Sequence, residues 1–360
     1  MRRYWPTGLT LVVTLAYLGF RLATHGGDPA ALAEPADPTA EPGAAAGQGY
    51  DGQFVLAMAF DLSPARAAEA LDAPAYRYQR ILLPVSARLL GFGNPALIPW
   101  ALLLVNLTAH LAATWSVNRF LLDNAGWPGA SLLYGLWAGC LVGIGAMLHE
   151  PLAYGLAAGA IIARFSGRQG LSLVLLGLAL FAKETILAFV AAFALVDLAN
   201  GRLRRNWAGY GLLLGAFAGW QLWLWAIFGR PGLGSGGAMA TGFEWLPFSG
   251  FLRIATIDLR VFLVYLLLFG PGILLPTVFA AYQGLRGWWR GNRDVLHASL
   301  VANALVMAVL PFSTFREPLG MIRLATGLVL ALVLWAAANQ HRRTMVYGWF
   351  WLAYLALIVG

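Results

Sequence analysis

Residues 128–163 read PGASLLYGLWAGCLVGIGAMLHEPLAYGLAAGAIIA, and residues 170–199 read GLSLVLLGLALFAKETILAFVAAFALVDLA. Each is mostly apolar with an ionic pair near its middle, His149-Glu150 or Lys183-Glu184, and the second also holds Asp197 near its end. As two single helices they would run about 54 and 44 Å at 1.5 Å per residue. That exceeds the ~30 Å hydrocarbon core of a bilayer and would hold charge near its centre, which is costly. Short hairpins with the pairs at their tips avoid both problems, with spans at about 128–148, 151–163, 170–182 and 186–199. The spans 151–163 and 170–182 would be only about 20 Å long, so their ends need a polar cavity or a thinned bilayer.

The remaining chain carries the same signature. Of 360 residues, 60% are hydrophobic and 11% are charged, against about 25% charged in a soluble domain. The expected fold is all-α, a polytopic transmembrane helical bundle of about eleven spans. The first runs from about Trp5 to Ala23, and the others lie near 96–118, 207–228, 257–280, 295–311, 319–338 and 345–360 besides the hairpins. A single membrane domain covers 1–360, with an outer loop over 24–95. Within it, 26–48 is rich in Ala, Pro, Gly and acids and reads as a flexible tether. Residues 50–93 read as amphipathic helices on the membrane surface.

Arg2 and Arg3 precede the first span and place the N-terminus in the cytoplasm. A cleaved signal peptide is the alternative, since Ala31-Leu32-Ala33 fits a cleavage site. With eleven spans, the cytoplasmic segments hold 13 Arg and two clear acids, Asp123 and Asp294. This positive-inside bias accounts for the net charge of +8 without a nucleic-acid partner. The lone Cys140 forms no internal disulfide.

The same topology sends most of the unusual polar residues outside: Tyr50, Asp51 and Gln53; Arg77 and Arg80 with Tyr76 and Tyr78 flanking them; His149 and Glu150; Lys183 and Glu184; Arg316 and Glu317. Arg323 lies seven residues after Arg316, two turns on along the same helical face, in an apolar run where a charge needs a cavity. Asp51 is a candidate general base or a helix N-cap. Asp61, beside Ser63-Pro64, reads as a helix-end cap, and Glu34, Asp37 and Glu41 as solvated tether acids. Arg77 and Arg80 are candidate phosphate ligands, since guanidinium forks match phosphate geometry, or they snorkel to ordinary headgroups. His149-Glu150 and Lys183-Glu184 are either part of a common site or local ion pairs at hairpin tips. Asn106-Leu107-Thr108 matches a glycosylation acceptor but falls inside a span, which sets it aside. There is no Gly-rich phosphate loop, no Cys/His metal pattern and no nucleophile elbow.

The order of a first span, a long acidic outer loop with amphipathic helices, and short hairpins resembles the GT-C class of membrane glycosyltransferases. The likeness is carried by GYDGQ at 49–53, YRYQRILLPVSARLL at 76–90, FAKET at 181–185 and FREPLGMIRL at 315–324. It implies a polyprenyl-phosphate-linked sugar as donor, an unidentified acceptor and an essential acid in the first outer loop, here Asp51. The tether of about 25 residues before that acid is longer than the class pattern. No paired Asp-x-Asp occurs, so no metal cofactor is indicated. The chemistry suits the residues: a phosphate leaving group needs cations rather than a general acid, and the acceptor hydroxyl needs one base, so a single displacement with inversion follows. Other readings are a transporter or lipid flippase, and a non-catalytic membrane assembly partner.

Overall fold

The computed structural model describes residues 4–36, 49–237 and 239–358. Arg2 and Arg3, and the tether segment 37–48 with Asp37 and Glu41, lie outside the described residues. Among the described residues the chain is all-helical, without strands.

Helix α1 (Trp5–Thr24) is followed by a 3-10 turn at Ala30–Ala33 and four short helices: α2 (Gly52–Phe60), α3 (Pro64–Ala70), α4 (Pro74–Tyr78) and α5 (Leu82–Leu90). Proline starts α3 and α4, where its missing N–H costs nothing. Then come α6 (Ile98–Asn124), α7 (Leu132–Gly135), α8 (Ala138–Gly145), α9 (Glu150–Phe165), α10 (Gln169–Ala182), α11 (Leu187–Ala199) and α12 (Leu203–Phe228). After a loop, α13 (Ser249–Ile257), α14 (Leu259–Phe269), α15 (Leu275–Trp289) and α16 (Val295–Ala308) lead to α17 (Phe312–Phe315), α18 (Pro318–Leu324), α19 (Thr326–Ala338) and α20 (Arg342–Gly348). Asp258 and Asp294 cap α14 and α16 by accepting backbone N–H bonds of 2.8–3.1 Å, the usual device for the free donors of a first turn.

Among the described residues, four helices are long and apolar enough to cross a bilayer: Trp5–Thr24, Ile98–Asn124, Leu203–Phe228 and Leu259–Trp289. The count reaches six if two bent pairs each make one span: Pro128–Gly135 with Ala138–Gly145 at 48°, and Pro318–Leu324 with Thr326–Ala338 at 41°. The other apolar stretches are helical but shorter.

The chain reverses at both ionic pairs. Arg164, at the end of α9, donates to Gln169 Oε1 at the start of α10 (2.6 Å) and to Asp197 Oδ2 near the end of α11 (3.1 Å). A continuous helix through 183 would hold Gln169 and Asp197 about 42 Å apart. The break at 146–149 likewise turns the chain back. Phe120 of α6 packs on Phe165 of α9, whereas Asn106, earlier on α6, bonds to Leu148. The turns at 146–149 and 183–186 therefore share one end of this helix group, and 166–168 and 199–203 share the other.

Part of the expected tether is packed. Leu32 and Ala33 are fully buried, and Glu34 Oε1 accepts from Arg21 Nη2 at 2.6 Å. The Tyr50 N–H donates to the Glu34 carbonyl (2.8 Å), and the Ala36 N–H to Gln53 Oε1 (3.1 Å). The ion pair ties 30–36 to α1 and the bonds with Tyr50 and Gln53 tie it to the start of α2, and Glu34 is a bonded anchor rather than a solvated acid. Asp61 does what its position suggests, accepting from the Ser63 N–H at 2.8 Å.

Candidate functional site

The site begins with the residue at the N-terminus of α2. An N-capping aspartate would accept from the first helical N–H groups, but the Asp51 side chain makes no such bond. Its Oδ1 accepts from Arg77 Nη1 at 2.8 Å and its Oδ2 from Arg323 Nη2 at 3.0 Å. Gly52 lets α2 approach this closely: an added Cβ would lie 2.2 Å from the Ala146 carbonyl oxygen.

From Asp51 the network runs through five stretches distant in sequence. Arg77 forms a fork with Asp72 (Nε–Oδ1 2.8 Å, Nη2–Oδ2 3.1 Å) and lies over the Phe54 ring. Arg323 continues to Glu150 Oε1 (3.0 Å) and to the Tyr50 hydroxyl (2.7 Å), which itself donates to Glu317 Oε1 (2.9 Å). Lys183 Nζ donates to the same Glu150 oxygen at 2.7 Å. Arg80 grips Glu184 with two bonds (2.7 and 2.5 Å) and donates to the Tyr76 hydroxyl at 2.6 Å. The neighbours in sequence, Lys183-Glu184 and His149-Glu150, are thus not local ion pairs. Each acid takes its cation from another segment, so the network locks the loop helices onto the hairpin tips.

Burial grades the network. The side chains of Glu150 and Lys183 are 0% and 2% exposed, Glu184 is 17% exposed and Asp51 is 32% exposed. The inner part is a closed structural core, and Asp51 stands at its mouth. Burial alone would raise the Asp51 carboxyl, but Arg323, Arg77 and Arg80 outweigh it and hold the group well below the usual carboxylate range. Burial would lower Arg77, yet Asp72 and Asp51 reverse the sign and raise it. Burial pushes the Tyr50 hydroxyl up against the pull of Arg323, so it stays protonated and donates to Glu317.

Four sequence candidates sit elsewhere or make other bonds. Arg316 is exposed, with its guanidinium over the Phe312 ring, and does not converge with Arg77, Arg80 and Arg323. The reason is backbone: α17 ends at Phe315 and α18 starts at Pro318, with Glu317 extended between them (φ −100°, ψ 109°), so helical phase does not carry from 316 to 323. Tyr78 faces away into an aromatic cluster with Trp220, Trp223 and Phe228, its hydroxyl donating to the Leu62 carbonyl. Gln53 holds the Ala36 N–H. His149 is buried, and its Nδ1 has no hydrogen-bond partner.

Asp72, which the sequence does not mark, belongs to the network, and so does Tyr76. Asp72 precedes Arg77 by five residues across a proline, a spacing that no helical rule flags. Tyr76 flanks Arg77 just as Tyr78 does, and only the turn of α4 separates their roles. A separate cleft of about 490 Å³ opens between α2 and α3, floored by Met58, Ala67 and Leu71 and rimmed by Asp61, Arg66 and Glu69. Its Arg66 pairs are long, 4.0 and 3.7 Å, and largely exposed, so it lacks the buried charge that marks the network. Among the described residues, no group of three or more His, Cys, Asp or Glu side chains is placed to hold a metal ion. No family model, curated protein or solved structure matches the chain.

Proposed function

We propose that the chain is a membrane glycosyltransferase that moves a sugar from a polyprenyl-phosphate donor to an acceptor hydroxyl, with inversion and with Asp51 as base. The observation that carries this reading is the position of Asp51: the most open of the ion-paired carboxylates within the network, clamped between Arg77 and Arg323.

Every cation in the network already faces a carboxylate. An incoming phosphate must therefore displace one, and the part-exposed Asp51 gives way more easily than the closed Glu150. Phosphate oxygens then take Arg77 Nη1 and Arg323 Nη2, the two guanidinium donors that Asp51 gives up, which suit them in charge. Losing those two cations releases the Asp51 carboxylate from the field that holds its pKa down, and its basicity rises as the donor binds. The base is thus weak in the empty site and competent in the loaded one. The leaving phosphate stays on the arginines and needs no general acid.

In this reading the eleven helical stretches all cross the bilayer, the N-terminus is cytoplasmic, and the network faces the outer side. The exposed Leu89, Leu90 and Phe92 dip into the interface at the end of α5. The orientation is tested by cysteine labelling, for which the buried Cys140 gives little background. Cysteines at Ser235 and Ser313 are expected to react from outside in intact cells, and one at Asn206 only after permeabilisation. Outside labelling at 206 would reverse the orientation and remove the outer site.

The two bent helix pairs favour a second reading, a lipid transporter or flippase, since discontinuous helices commonly frame transport sites. Such a protein would bind the lipid but transfer no sugar.

A further inference from the structure

Helix α6 carries buried polar residues at four-residue spacing, Asn106, His110, Thr114 and Asn118, all fully buried. A polar stripe in an apolar helix needs a purpose, because each unsatisfied group costs about 1–3 kcal/mol. Two of them serve the breaks in the neighbouring chain. His110 Nε2 donates to the Gly135 carbonyl at 2.9 Å, at the end of α7 where the chain breaks before α8. Asn106 Nδ2 donates to the Leu148 carbonyl at 2.9 Å, in the turn between α8 and α9.

That second turn is strained and crowded. Met147 takes φ 55°, a left-handed conformation that glycine normally supplies at a helix end. The Leu148 N–H reaches back to the Gly143 carbonyl at 2.7 Å. One side of the turn, the Ala146 carbonyl, abuts Gly52, next to Asp51. The other side leads through His149 into Glu150. Asp51 and Glu150 both bind Arg323, so the turn sets the separation of two carboxylates that share one guanidinium.

We propose that Asn106 is a positioning residue for this site: its amide fixes the 146–149 turn, and through it the Glu150 carboxylate that holds Lys183 and Arg323. Asn106 touches none of the reacting groups. Its Oδ1 is buried without a partner, so the bond to Leu148 is what the side chain contributes. The proposal rests on the site reading above, and its test does not depend on sugar transfer.

Lys183 is the only lysine in the chain and its side chain is 2% exposed, so its reaction with an amine acylating reagent reads the state of the Glu150 pair. The full chain in lipid nanodiscs is labelled over time, and the Lys183 peptide is quantified by mass spectrometry. Asn106→Leu is expected to speed labelling of Lys183 about tenfold, the factor that one lost buried hydrogen bond gives to a local opening. His110→Leu removes the equivalent bond at the other break and is expected to leave the Lys183 rate near wild type. If Asn106→Leu does not fold, Asn106→Ser removes the reach to Leu148 while its hydroxyl bonds to the α6 backbone, and the same increase is expected. An unchanged Lys183 rate in the folded Asn106 variant overturns the proposal. An equal rise in His110→Leu also overturns it, because it would show general loosening of the bundle. Either result leaves the transfer reaction untouched, and absence of transfer leaves the labelling result untouched.

Discussion

Glu150→Gln is expected to destabilise the fold by about 3–5 kcal/mol, the cost of breaking a buried ion pair by removing one partner. Glu150 is fully enclosed, and one of its oxygens accepts from both Lys183 (2.7 Å) and Arg323 (3.0 Å). Glutamine keeps the shape and one acceptor but leaves two buried cations without their shared carboxylate. The burden falls on Lys183, because Arg323 retains Asp51 and the Tyr50 hydroxyl. Removing the second charge as well, in Glu150→Gln/Lys183→Met, is therefore expected to recover part of the loss. Thermal unfolding of the purified protein in detergent measures both. A single variant as stable as wild type, or a double variant with strictly additive losses, would contradict the pairing.

The largest effect on activity is expected at Asp51. Asp51→Asn keeps side-chain volume and one oxygen acceptor for the guanidiniums. The position is a third exposed, so the lost ion pair costs the fold on the order of 1 kcal/mol or less. Basicity, however, is gone. Transfer is expected to fall by roughly 10²–10⁴-fold, the usual contribution of a general base, while the variant inserts and purifies as wild type does. Donor binding is expected to persist or tighten, because a phosphate no longer competes with a carboxylate for Arg77 and Arg323. This split between binding and turnover separates a base from a merely structural acid. A variant with full transfer would pass the role to Glu184, whose side chain is 17% exposed.

The parts of this arrangement that could be read from sequence are those where charge interrupts an apolar run. Glu150, Lys183, Glu184, Glu317 and Arg323 had to find partners, since each alone would be a charge in an apolar run. The helix breaks at 146–149 and 183–186 follow from the same cost. The pairing itself was not legible, because adjacent opposite charges look self-sufficient; only the fold shows Lys183 on Glu150 and Arg80 on Glu184. Arg316 was misplaced because a seven-residue spacing implies a common face only along an unbroken helix, and Glu317 is extended. Asp72 lacked any periodic mark, whereas Tyr76 stands one helical turn before Arg80, whose guanidinium it meets. The residues near 30–36 looked too polar to pack, yet Leu32 and the Arg21–Glu34 pair hold them.

The central claim is that Arg77 and Arg323 bind a lipid phosphate in place of Asp51. Native mass spectrometry of the purified chain with polyprenyl phosphate and with the matching polyprenol tests it most directly. Binding is expected for the phosphate and to be at least tenfold weaker for the alcohol. Arg77→Ala or Arg323→Ala is expected to abolish that preference in a chain that still folds. Equal binding of phosphate and alcohol, or a preference that survives both arginine substitutions, would contradict the account.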